Sequence, residues 1–181
     1  MTEDVADAQN DQFFLVIEEI KAELAAGEWA MASGRLALLL SNEEAQTHLV
    51  ELVQLRHEID LKIIGEHDWP EASIRWKKAV SAFPGEQTLW PFAARAFIQN
   101  ADFDAAEEVL GNLCRHEPNQ HEHWIYYARN AESRHSWAEA VNRWTHVVRL
   151  VPNDPSMKDA RGEAIWHAEM QAEEEADAAS S

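Results

Sequence analysis

One pattern is written three times between His67 and Pro152, and it constrains the fold more than any other feature of the chain. HDWPEASIRWKKAVSAFP (His67 to Pro84), ADFDAAEEVLGNLCRHEP (Ala101 to Pro118) and HSWAEAVNRWTHVVRLVP (His135 to Pro152) align without a gap. Trp69, Phe103 and Trp137 stand 34 residues apart, as do Ala72, Ala106 and Ala140, and as do Pro84, Pro118 and Pro152. Self-similarity at a fixed period of this length marks a stacked helical repeat, whose units are each too thin to bury an apolar side alone. Such a pattern fixes an architecture and specifies no reaction.

Local signals bound the helices. Asp68-Trp-Pro-Glu71 and Ser136-Trp-Ala-Glu139 match the capping box, in which the first side chain accepts from an orphan backbone N–H and the Glu reaches back. Asp102 is placed to cap singly before Phe103. Pro84, Pro118 and Pro152 follow the last apolar position of each copy, where a residue without an N–H ends a helix. Between the copies, Thr88 to Asn100 and Gln120 to Arg134 are amphipathic and in register, with Trp90 and Trp124, and Ala94 and Ala128, again 34 apart. Pro91 falls in a first turn, where it is tolerated.

Upstream, Phe13, Val16, Ile17, Ile20 and Leu24 recur at helical spacing, which predicts a first helix from Asp11 with Gly27 as terminator. Glu28 to Leu40 repeats the pattern loosely at an offset of 40, so the extra residues should lengthen the next helix, expected over about 42–65. After Pro152, Asp154 as N-cap and Pro155 at the first position open a capping helix through Ala160, Ala164, Ile165 and Ala168. Residues 1–10 are expected to be disordered and 171–181 to form a solvated acidic tail, leaving 11–168 as the repeat domain. Its units are expected at about 11–42, 43–84, 85–118 and 119–152, with the capping helix at 154–170.

Charge removes several function classes. The formal net charge of -18 repels phosphate backbones, which proteins bind through Lys and Arg clusters, so no nucleic-acid partner is expected. The eight tryptophans are expected to pack first, since large aromatics fill thin helical layers economically. Cys114 is single and lies in an apolar stretch, which predicts a buried thiol and a reducing compartment. The acidic start lacks a signal peptide's basic and apolar regions, and no run approaches the length of a bilayer span, so the chain reads as cytoplasmic with no membrane insertion.

The repeats resemble the tetratricopeptide repeat family. Trp90, Ala93, Ala94, Phe97, Ala106, Leu110, Leu113 and Pro118 match its pattern, and Trp124, Tyr127, Ala128, Ala131, Ala140, Trp144, Val147 and Pro152 match it again. The copy ending at Pro84 departs from it, with Arg56 where an aromatic is usual and Asp60 at a site that is normally small, so the packing of that helix pair should differ or bend there. The resemblance implies an all-α, right-handed superhelical solenoid of about four helix pairs plus a C-terminal capping helix. It also implies a concave groove lined by the first helix of each pair.

The resemblance places Phe92, Arg95, Ile98 and Gln99 in that groove, beside Tyr126, Arg129, Glu132 and Ser133, with Glu58, Leu61, Ile64 and Gly65 from the irregular helix. Arg95 and Arg129 occupy equivalent positions and are expected about 10 Å apart on adjacent helices. Two guanidiniums flanked by Phe92 and Tyr126 could hold a carboxylate while the rings take an apolar group. The alternative is that each Arg pairs with a neighbouring acid such as Glu132 or Glu86. The Lys and Asn of the family's carboxylate clamp are replaced here by Pro91 and Ile125 and by the two arginines, so chaperone-tail binding is not carried over.

No catalytic residue, metal ligand or cofactor is expected. His121 and His123 are two apart, which turns them away from each other on a helix, and His116 and Glu117 add no HExxH pattern or Cys pair. No phosphate loop or nucleophile elbow occurs. Arg75-Trp76 and Arg143-Trp144 could form a ligand platform, but tryptophan at that position is expected inside the repeat. The sequence therefore predicts a non-enzymatic adaptor or scaffold that binds a segment of another protein, with a basic partner favoured by long-range attraction. The Ala- and Trp-rich texture also resembles repeats found beside bacterial secretion or polysaccharide-synthesis and glycosyltransferase enzymes, which implies an accessory subunit, regulator or chaperone as the alternative. Partner identity and oligomeric state are not encoded in these patterns.

Overall fold

The computed structural model describes residues 3–41 and 49–180. Among them every regular element is helical: α1 (Glu3–Ala25), α2 (Trp29–Leu40), α3 (Leu49–Ile64), α4 (Trp69–Ala82), α5 (Trp90–Gln99), α6 (Phe103–His116), α7 (His121–Ser133), α8 (Trp137–Leu150) and α9 (Pro155–Ala179), with a 3-10 turn at Gln87–Leu89 leading into α5. The chain divides into two compact units, Met1–Asn100 and Ala101–Ser181.

Most helix ends follow their sequence signals. Asp68 accepts from the Glu71 N–H at 3.2 Å, Asp102 from Ala105 at 3.4 Å and Asp154 from Ser156 at 2.9 Å, each satisfying an orphan donor. Helices α4, α6 and α8 close on Phe83, Glu117 and Val151, each the residue before its proline. The box expected at Ser136 does not form: that side chain makes no cap hydrogen bond. Glu139 instead pairs with Arg143 at 2.9 Å, where its carboxylate meets a full opposite charge rather than the partial charge of a backbone N–H. The turns before α2, α6 and α8 use a left-handed residue, Gly27 (φ 78°), Ala101 (φ 57°) and His135 (φ 56°).

Three boundaries differ from expectation. Helix α1 begins at Glu3, ahead of the Asp11 start, since Ala6, Ala8 and Gln9 are good helix formers and the early acids sit at the favourable end of the helix dipole. Helix α9 continues through the expected tail to Ala179, exposed but regular, carried by its Ala and Glu content. Helix α3 begins at Leu49, and the part of the lengthened helix expected over 42–48 lies outside the described residues.

In the first unit α2 is the centre, packing against α1, α3 and α4. Ile17, Ile20, Leu36, Leu52, Ile59, Trp76 and Phe97 are fully buried there. Helix α4 sits on α2 and α5 rather than closing against α3. At the site where a small residue would admit a neighbouring backbone, Asp60 instead holds Arg56 at 3.0 Å. The departure in sequence is thus a departure in packing. In the second unit Ala128, Ala131, Ala140, Trp144, Val147 and Ala164 form one core between α7, α8 and α9. Small alanines on facing helices let the axes approach while Trp144 fills the space between them.

Candidate partner-binding surfaces

Each unit is pinned by an arginine that the sequence pairs with a core tryptophan. Trp76 and Trp144 are buried at 1% and 2% exposure, which sets aside the ligand-platform reading. Their neighbours lie over aromatic faces: the Arg75 guanidinium is 4.0 Å from the Trp29 ring and that of Arg143 is 3.5 Å from Tyr127. Arg75 pairs with Glu66 and Glu71, each at 3.2 Å. Arg143 binds Glu107 and Glu139 and donates to the Tyr127 carbonyl at 2.9 Å. Glu107 also accepts from Asn130 at 2.9 Å and pairs with Arg134 at 3.1 Å, so one carboxylate ties α6 to α7 and α8.

Burial separates the two acids. Burial pushes the Glu66 carboxyl up, and Arg75 beside it does not offset the effect. Burial also works against the Glu107 charge, but hydrogen bonds from Arg143 and Asn130 outweigh it and hold that carboxyl below its usual range. Cys114 is buried as expected, its thiol pushed up to about 12 by burial. Among the described residues no group of three His, Cys, Asp or Glu side chains could hold a metal ion. His121 faces Glu122 at 3.2 Å and His123 faces Glu117 at 3.5 Å. No helix of the described residues is long and apolar enough to cross a membrane.

The first-helix residues named from sequence divide by unit. In the first, Leu61 on α3 is 57% exposed. Arg95 on α5 is exposed and lies 5.3 Å over the Trp69 ring, and Gln99 is exposed one turn on. Phe92 is half-buried, its ring stacked on Trp76 at 5.6 Å, so it supports the core edge as well as the surface. In the second unit Tyr126 is 52% exposed and Arg129 is exposed. The Ser133 hydroxyl donates to the Arg129 carbonyl at 3.0 Å, which engages it with its own helix. The acids offered as alternative partners for the arginines have other contacts: Glu86 accepts from the Thr88 hydroxyl at 2.8 Å and Glu132 from the Trp144 indole at 2.6 Å.

Two surfaces extend beyond the residues that the sequence singled out, which on α3 include Leu61 and Ile64 and on α9 none. Val50, Val53 and Ile64 are 75%, 58% and 67% exposed and join Leu61 on α3. At 3.6 residues per turn these four fall within about 80° of the helix, opposite the buried Leu52, Leu55, Ile59 and Ile63. The periodicity showed an apolar helix but could not show that only one of its two stripes has a neighbour. On α9, Trp166 is 56% exposed, against the expectation that tryptophans pack. The adjacent His167 stacks on Trp137 at 4.1 Å and thereby turns Trp166 outward.

Helices closed by prolines at a fixed period, with no strand among the described residues, define an all-α helical-repeat protein. Residues 87–130 match the tetratricopeptide repeat family model. No curated protein matches its sequence. Among solved structures it is similar to MamA AMB-1, at 14% identity over 92% of this chain and 87% of that one, with a TM-score of 0.55. It is also similar to MamA MSR-1, at 14% identity, 91% and 90% coverage and a TM-score of 0.56. These likenesses bear on the fold.

Proposed function

We propose that the chain is a non-enzymatic interaction module, an adaptor or scaffold, that binds segments of another protein on the exposed faces of its first helices. In the first unit the face consists of Leu61 with Val50, Val53 and Ile64 on α3, and of Phe92, Arg95 and Gln99 on α5. In the second it consists of Tyr126, Arg129 and Ser133 on α7. The observation that carries this reading is the α3 stripe. Single exposed apolar residues are ordinary, whereas four on one face over roughly 20 Å of helix form a surface that gains by being covered. Arg95 and Arg129 add guanidinium forks suited to carboxylates of the covering segment.

The test is affinity purification from the source cell, with quantitative comparison of wild type, Leu61→Ser/Ile64→Ser and Arg95→Ala/Arg129→Ala. Specific partners should fall about tenfold with either double variant while far-UV circular dichroism is unchanged. Undiminished capture by both folded variants would place partner binding on another surface.

A further inference from the structure

We infer that α9 carries a second docking surface, a stripe that receives a basic segment of a partner protein around Trp166. Asp159, Glu163, Trp166, Met170, Glu173 and Asp177 follow one another at spacings of four and three, so they share one face of α9. That face runs about 27 Å, with an apolar pair at its centre and two acids toward each end. Trp166 and Met170 are 56% and 39% exposed, and all four acids are exposed. From Gly162 to Ala179 there is no Lys or Arg, while Glu163, Glu169, Glu173, Glu174, Glu175 and Asp177 supply six negative charges. The nearest cations on the helix, Lys158 and Arg161, lie about 80° and 140° round from Trp166.

The molecule itself shows what such an arrangement accepts. Trp29, with Glu66 and Glu71 at hand, takes the Arg75 guanidinium over its ring, and Tyr127, with Glu107 and Glu139, takes that of Arg143. Trp166 offers a comparable combination, an exposed ring set edge-on to His167 at 4.7 Å, with Glu163 and Glu169 about one helical turn to either side and no Lys or Arg on its own face. Charge selects the occupant: a segment with Lys or Arg toward both ends and an apolar side chain or guanidinium at its centre is complementary. A second copy of this chain brings another -18 and is repelled. The inference rests on the reading that the chain binds protein segments, and it names the chemistry of one of them.

The test uses the full chain and a fluorescein-labelled peptide of about five helical turns, with arginine pairs at its ends and two leucines at its centre. A control of the same composition carries both leucines at one end. Anisotropy at about 50 and 300 mM salt reads affinity and its screening. The centred peptide is expected to bind about tenfold tighter than the control, and Trp166→Ala should abolish that difference. Glu163→Gln/Glu173→Gln should weaken binding and flatten its salt dependence, with the thermal midpoint of each variant reporting that α9 is intact. Equal binding of the two peptides, or no loss in Trp166→Ala, overturns the assignment. Light scattering that shows self-association lost in Trp166→Ala would make the occupant a second copy and also overturn it. Loss of cellular partners in the α3 variant with unchanged peptide binding in Trp166→Ala would leave the first-helix reading standing and remove this one.

Discussion

The Arg143 network allows a worked prediction. Glu107→Gln keeps the size of the side chain but removes its charge and presents an amide N–H2 to a site already crowded with donors. Arg143 and Glu107 are 10% and 23% exposed at the side chain, so solvent replaces little of what is lost. Breaking a buried pair by removing one partner costs about 3–5 kcal/mol. Arg143 keeps Glu139 at 2.9 Å and the Tyr127 carbonyl at 2.9 Å, which places the expected loss near the lower end, about 3 kcal/mol. Urea unfolding followed by circular dichroism measures it, in a cycle with Arg143→Met and the double variant. If the two side chains act as one unit, the singles should sum to about 2 kcal/mol more than the double, because Arg143→Met with Glu107→Gln no longer strands a charge. The pH dependence has a definite sign. Glu107 is held below its usual range in the fold, so its contribution is present above the unfolded value and lost as pH falls through the folded one. Glu107→Gln should therefore show a shallower acid loss than wild type. A single-variant loss under about 1 kcal/mol, or strictly additive effects, would refute the claim that this carboxylate ties α6, α7 and α8 together.

Other outcomes follow from single positions. Ala101→Gly should stabilise the chain by about 0.5–1 kcal/mol in urea unfolding, since Ala101 sits at φ 57° where only glycine is unstrained, while Gly27→Ala at φ 78° should destabilise by a similar amount. Gly34→Ala would drive a methyl into the Phe83 ring, closer than van der Waals contact allows, and a loss of about 1–3 kcal/mol in unfolding free energy is expected from the overpacking. The Cys114 thiol, buried and pushed up to about 12, should react with a thiol reagent at neutral pH only once denaturant has unfolded the second unit, and rapid reaction in the native protein would contradict its placement.

Much of the fold was legible because it is written in short-range chemistry. The caps at Asp68, Asp102 and Asp154 and the stops at Pro84, Pro118 and Pro152 act within one turn of their own residue, so spacing alone locates them. The same locality explains the miss at Ser136: its box competes with Arg143, which reaches Glu139 from the next turn and Glu107 from another helix. The candidate surfaces were legible only in part. Leu61, Arg95, Gln99, Tyr126 and Arg129 are exposed on their own units, but Ser133 engages its helix and Phe92 leans on Trp76. The exposure of Trp166 left no sequence signal apart from its acidic neighbours.

By itself, the sequence determined that residues 67–152 hold helices recurring with a period of 34, because helix periodicity, capping and termination are properties of neighbouring residues. Which apolar stripe stays uncovered was decided only by tertiary structure. Helix α3 has oily residues on two opposite sides, and α2 covers one of them while Val50, Val53, Leu61 and Ile64 remain in water. Burial depends on what arrives from elsewhere in the chain, and no local pattern encodes the arrival of a neighbour.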